Sequence, residues 1–157
     1  MIPVNIIALG QLKESYFRVA ADEYKKRLRT VSEIEIRDER LPQSPSASQI
    51  EAALDKEADR ILAAVPKRSF TVAMCIEGRQ MTSDEFSKAL DDAALSGHSS
   101  VTFIIGSSHG LSDRVKAASD LKLSMSKMTF PHKLARVMLL EAVYRASEIS
   151  AGSKYHK

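Results

Sequence analysis

Apolar residues along the chain fall into two rhythms. PVNIIAL at 3–9, FTVAMCI at 70–76 and SVTFII at 100–105 are short, branched and nearly unbroken apolar runs, the pattern of parallel strands covered on both faces. SEIEIRD at 32–38 alternates polar and apolar residues instead. Period two predicts a strand with one covered face, lying towards a sheet edge. LKLS at 121–124 is a fifth, fainter strand.

Helical stretches separate these runs. The first spans 14–29. A proline- and serine-rich loop, LPQSPSASQ at 41–49, precedes the second, which Ser48 can cap and which runs to about Val65. Thr82 and Glu85 form a capping box for a third that ends near Leu95. Ser112 caps a short helix at 113–119, and Pro131 opens a last helix that neither proline nor glycine interrupts before Gly152. Strands alternating with helices predict an α/β fold, a single domain with a mainly parallel sheet flanked by helices. The length of 157 residues fits one domain. Such sheets bind ligands beyond the carboxyl ends of their strands, which singles out the loops at 75–79, 106–111 and 125–132.

VMLLEAV, at 137–143 in the last helix, is apolar almost all round. A helix covering one face of a sheet needs only an apolar stripe, so a second surface must meet it, either a deep core or another subunit. In so small a domain a partner subunit is favoured.

Composition narrows the picture modestly. With 44% hydrophobic and 27% charged residues, neither disorder nor a fibrous repeat is expected. The opening apolar run lacks a basic leader and is too short for a bilayer, so it reads as a first strand. One cysteine, Cys75, cannot form an internal disulfide, which fits a reducing compartment; the cytoplasm is the expected location. The net charge of +3 allows an anionic partner. Lys25, Lys26, Arg27 and Arg29 cluster where they can complement a helix C-terminus or serve as a docking patch.

The candidate chemistry is sparse until the end of the chain. His98, His109, His132 and His156 are scattered with no cysteine pair, so no metal site is expected. IIGSSHG at 104–110 sets Gly106 and Gly110 in a loop after a buried strand, where backbone can approach a ligand, although taken alone the motif is better explained as a plain structural turn. It lacks the Lys-Ser/Thr ending of a P-loop. Cys75 suits a core thiol. Ser107, Ser108 and His109 are adjacent, and adjacent residues rarely aim at one reacting atom.

The last stretch, MSKMTFPHKLARVMLLEAVYRASEISAGSKYHK at 125–157, is far more specific. Together with LGQLKESY, EYKKRL, FTVAMCIEGRQM and IIGSSHGL upstream, it resembles the SPOUT-class RNA methyltransferases of the RlmH type over essentially the whole chain. The resemblance implies a C-terminal trefoil knot, with knot and cofactor loops within about 70–157, an exception to the rule that chains avoid threading. It implies a homodimer packed through helices that include the last one. It implies S-adenosylmethionine bound in a bent form by Met74, by Gly106 and Ser107, and by Met125, Ser126, Lys127, Met128, Thr129 and Phe130. The family commonly has Gly-Gly where this chain has Gly106-Ser107.

The implied reaction is methylation of N3 of a pseudouridine in the intersubunit stem-loop of 23S ribosomal RNA, on assembled ribosomes and without a metal. N3 carries a proton, so a base or stabilising cations would help. His132 has a suitable pKa range, or else merely holds the start of the last helix. Arg136 and Arg145 are candidates for phosphate or base contacts, with an i,i+4 pair between Glu141 and Arg145 as the plainer role. Tyr155 and His156 are candidates to grip a flipped base, with Lys154 and Lys157 on phosphates, the tail of one subunit reaching the pocket of the other. The alternatives are a non-catalytic ribosome-binding factor of the same fold, and a flavodoxin-like enzyme acting on a small molecule.

Overall fold

The apolar runs pair side by side in one parallel sheet. A computed structural model describes residues 1–155. Its strands are β1 (Val4–Leu9), β2 (Val31–Ile36), β3 (Ser69–Arg79), β4 (Ser100–Ile105) and β5 (Leu121–Leu123), in the order β2-β1-β4-β3-β5. Every pairing is parallel. The helices are α1 (Ser15–Arg27), α2 (Ala47–Ala64), α3 (Ser83–Leu95), α4 (Asp113–Ala118) and α5 (His132–Ser150). The alternating strand, β2, takes one edge and the short β5 the other.

Period two sends successive side chains of each strand into two separate cores. Ile6, Ala8, Val101 and Phe103 face Phe86 and Leu90 of α3 and Leu139, Leu140 and Val143 of α5. Ile7, Leu9, Ala73 and Ile104 face Ala58 and Ile61 of α2 and Val115 of α4. Burying each large aliphatic chain contributes roughly 1.5–3 kcal/mol, so both faces hold the sheet. Helix α5 lies against both α1 and α3. Its own chain therefore covers much of the apolar stretch at 137–143, and Leu134 and Met138 stay half-buried.

Several boundaries differ from expectation for local reasons. Helix α2 is capped by Ser46, not Ser48: Gln49 N–H donates to Ser46 Oγ at 3.2 Å, and Ser46 N–H donates to Gln49 Oε1 at 2.8 Å. Both serines have an acceptor three residues on, but the earlier start adds two helical residues and the Ile50 N–H to Ser46 O bond. Helix α1 stops at Arg27, because Leu28 leaves the helix to enter the core. Pro131 is the extended cap of α5, with ψ 138°, and the helix begins at His132. Its carbonyl still accepts from Ala135 N–H at 2.9 Å.

Arg136 requires a correction. It is 4% exposed. Its Nε donates to Glu33 on β2, a guanidinium nitrogen sits 3.6 Å from Glu35, and Nη1 reaches the Gly10 carbonyl at 3.4 Å. A guanidinium committed to two carboxylates of β2 and the carbonyl of Gly10, just past β1, holds α5 against the sheet and cannot meet a phosphate or a base. No helix among the described residues is long and apolar enough to cross a membrane.

Candidate active site

Three loops build the site, each shaped by one sequence feature. Strand β3 leaves its ladder after Met74 and rejoins it at Arg79, both residues pairing with Leu123. The four residues between, 75–78, stand out from the sheet as an excursion. Gly78 makes the return possible: a Cβ there would lie 2.7 Å from backbone atoms of Lys122 and Leu123, closer than real Cβ atoms come.

The second loop follows β4. A Cβ on Gly106 would lie 2.3 Å from the Gly110 carbonyl oxygen, so only glycine lets these two backbones touch. Ser107 closes the turn. Its carbonyl accepts from Gly110 N–H at 2.9 Å and its Oγ accepts from His109 N–H at 3.3 Å. Among described non-glycine residues only Arg68 has a positive φ, so Ser107 follows Gly106 without backbone strain.

The third loop joins β5 to α5. Ser124 N–H donates to Arg79 O at 2.9 Å, tying this loop to the end of the β3 excursion. Ser124 Oγ donates to Ser126 O at 2.9 Å, and Ser126 Oγ accepts from Met128 N–H at 3.0 Å.

The three loops and Lys116 of α4 enclose a cleft of about 790 Å³ at the carboxyl ends of β3, β4 and β5, within the usual range for small-molecule sites. Met74, Gly106 and Ser107 line it, as do Met125, Ser126, Met128, Thr129, Phe130 and His132. Lys127 does not, and points to solvent. Met128 is 74% exposed, a large apolar side chain left over the cleft with nothing packed on it.

The electrostatics single out residues that the sequence patterns did not. Glu77 and Lys116 line the cleft and form an ion pair of 2.5 Å. Its hydrogen bond from Lys116 holds the Glu77 carboxyl below the usual range, and the same bond raises the Lys116 ammonium. Burial, then the Glu77 charge, pushes the Cys75 thiol up, so it lacks thiolate character at neutral pH. Among the described residues no group of three or more His, Cys, Asp or Glu side chains is arranged to hold a metal ion.

Burial, and after it the Lys133 charge, lowers the His132 imidazole below its ordinary value of about 6.5. The cleft therefore presents a neutral ring at physiological pH. Because the unfolded chain takes up this proton more readily, His132 adds stability above about pH 6.5 that is lost as the pH falls below it. Wild type should lose urea resistance between pH 7.5 and 5.5 more steeply than His132→Gln; parallel losses would place the ring in solvent.

Arg145 and Tyr155 sit elsewhere. Arg145 follows His132 by 13 residues of the same helix, roughly 20 Å along its axis. Arg145 Nη2 donates to Glu141 at 2.7 Å, its guanidinium lies 5.1 Å from the centre of the Tyr155 ring, and Tyr155 packs edge-on to Tyr144 at 4.7 Å. Neither residue reaches the cleft of its own chain. His156 and Lys157 lie outside the described residues. The basic cluster is also remote: Val4 N–H donates to Thr30 O, which puts it at the amino end of β1, a strand's length of roughly 20 Å from the cleft edge of the sheet. Within it, Lys25 pairs with Glu33 at 2.6 Å and Arg27 with Glu23 at 2.9 Å.

Gly106→Ala tests the second loop. Forcing a methyl against the Gly110 carbonyl should cost about 1–3 kcal/mol in a packed site. Tenfold or greater weakening of ligand binding in the cleft is expected by calorimetry, and unchanged binding would mean that the loop yields freely.

Comparison with known proteins agrees with this architecture. The family model described as "Predicted SPOUT methyltransferase" matches residues 2–156. The chain is 45% identical over 157 residues to "Ribosomal RNA large subunit methyltransferase H" of Clostridium acetobutylicum, covering 98% of this chain and 99% of that one. It is 46% identical, with the same coverage, to the protein of the same name from Streptococcus thermophilus. The structure of "a probable methylase family protein" from Haemophilus influenzae superposes with a TM-score of 0.56 at 12% identity, over 100% of this chain and 72% of that one, a likeness of fold.

Proposed function

The chain belongs to the SPOUT methyltransferase family, and from that premise we propose that it is a ribosomal RNA methyltransferase that takes its methyl group from S-adenosylmethionine. Its target is N3 of a pseudouridine in the intersubunit stem-loop of 23S ribosomal RNA, within assembled ribosomes in the cytoplasm. It works as a homodimer whose terminal knot shapes the cleft. One observation carries this reading: the glycine-built cleft with a neutral His132 at its edge lies where an α/β sheet binds ligands, in a chain alike end to end to proteins named for large-subunit RNA methylation.

The cleft suits the cofactor. Its walls are largely apolar, with Met74, Met125, Met128 and Phe130 available to an adenine ring, and Gly106 leaves backbone bare beside them. When bound, S-adenosylmethionine supplies a methyl group on a sulfonium, open to in-line attack. The chain's own task is to hold the RNA nitrogen at near-attack distance, worth several kcal/mol in an oriented site. A ring nitrogen of neutral His132 can accept the N3 proton.

Arg145, Tyr155 and His156 then act from the partner subunit, because a single chain leaves Arg145 and Tyr155 one helix length from its own cleft. The half-buried Leu134 and Met138 on α5 offer apolar surface to that partner. Tritiated methyl transfer to ribosomes from a strain lacking the protein, followed by mapping of the labelled nucleotide, tests the proposal. A single labelled pseudouridine in the large subunit is expected. Ribosome binding without transfer would favour a non-catalytic binding factor.

A further inference from the structure

Of the described residues that line the cleft, Glu77 is the only Asp or Glu and Lys116 the only Lys or Arg, so the two carry opposite signs. They come from different elements, Glu77 from the β3 excursion and Lys116 from α4, so the ion pair bridges two walls of the cleft. Both side chains keep contact with solvent, at 50% and 21% exposure. The pair also keeps capacity for a ligand: an ammonium has three N–H donors and a carboxylate about four lone-pair sites, while the 2.5 Å contact joins Lys116 Nζ to Glu77 Oε1 and the same carboxylate is otherwise met by its own backbone N–H and the Cys75 thiol.

A site of this kind suits one chemical class, a zwitterion that offers an ammonium and a carboxylate on the same carbon. We propose that Glu77 and Lys116 bind the amino-acid end of the methyl donor, the ligand's ammonium meeting the second Glu77 oxygen and its carboxylate meeting the remaining Lys116 N–H groups. This rests on the reading of the cleft as a site for S-adenosylmethionine. The four charges then alternate in sign, and neither protein group has to abandon the other. Charge-assisted hydrogen bonds of this type are about twice as strong as neutral ones. The apolar remainder of the cleft is left to the nucleoside. The pair thus sets specificity for donors that carry a free amino-acid group.

The test is calorimetric and uses the full chain with two ligands, S-adenosylhomocysteine, which has the amino-acid end, and 5′-methylthioadenosine, which lacks it. Glu77→Gln and Lys116→Met should each weaken S-adenosylhomocysteine tenfold or more and change 5′-methylthioadenosine less than twofold. A doubly exchanged variant, Glu77→Lys with Lys116→Glu, keeps an ion pair between the walls but aims each charge at the wrong end of the ligand. It should unfold at the wild-type temperature and still lose the amino-acid ligand. Wild-type affinity in that variant, or equal weakening of both ligands in the single variants, would overturn the proposal and leave the pair a structural clasp. Failure of the wild-type protein to bind either ligand would instead sink the reading of the cleft itself.

Discussion

Deleting residues 154–157 is expected to reduce methyl transfer to ribosomes by about a thousandfold or more, while S-adenosylhomocysteine still binds within about twofold of wild type. The size follows from what leaves with the tail. Tyr155 is a stacking surface, and base stacking on an aromatic ring is worth about 1–3 kcal/mol; loss of positioned polar groups at a reacting base adds about a hundredfold or more. Donor binding survives because Tyr155 does not line the cleft of its own chain. Stability should change little, since Tyr155 rests on α5 through the Tyr144 ring, the Arg145 guanidinium and long hydrogen bonds to Glu141 and Arg145 of 3.5 and 3.4 Å. Mixing the truncated chain with a Gly106→Ala chain should recover part of the activity, one subunit supplying the cleft and the other the tail. Full activity of the truncated protein, or no recovery on mixing, would rule out a site shared between subunits.

The second large effect concerns the ion cluster between β2 and α5. Glu33, with a side chain 8% exposed, accepts from Arg136 and pairs with Lys25 at 2.6 Å. Glu33→Ala strands the Arg136 guanidinium, itself 5% exposed, with only Glu35 at 3.6 Å and the Gly10 carbonyl. Breaking a buried pair from one side costs about 3–5 kcal/mol, a large share of the total stability of a domain this size. Arg136→Ala should sit at the low end of that range, because Glu33 keeps Lys25. Urea unfolding measures both; a loss below about 1 kcal/mol for Glu33→Ala would mean that the cluster is solvated. Any fall in methylation by the Arg136 variants should track the fraction unfolded, as the side chain faces β2 and not the cleft.

Much of the fold was legible because hydrophobic rhythm is a local property. Three unbroken apolar runs became central strands and the alternating one became an edge, since burial on two faces or one leaves its mark residue by residue. The three loops that line the cleft were legible for the same reason, as they follow where those runs end. The cofactor role expected of Met125 to Phe130 came only from resemblance, because nothing in their spacing distinguishes a cofactor loop from a turn.

What the chain order could not reveal is which charges meet. Arg136, Arg145 and Lys116 are equally basic in the sequence, yet one is locked into Glu33, one lies a helix length from the cleft and one lines it. Glu77 and Gly78 look like an ordinary strand end, and only the return of β3 over Leu123 makes the glycine obligatory and turns the glutamate towards Lys116. The sequence alone therefore determined the elements, their layering and the edge of the sheet where the cleft opens, because period and chain continuity dictate these. Tertiary structure alone decided the partners of each charge, because Coulomb energy depends on distances between residues far apart in the chain, and no local pattern encodes them.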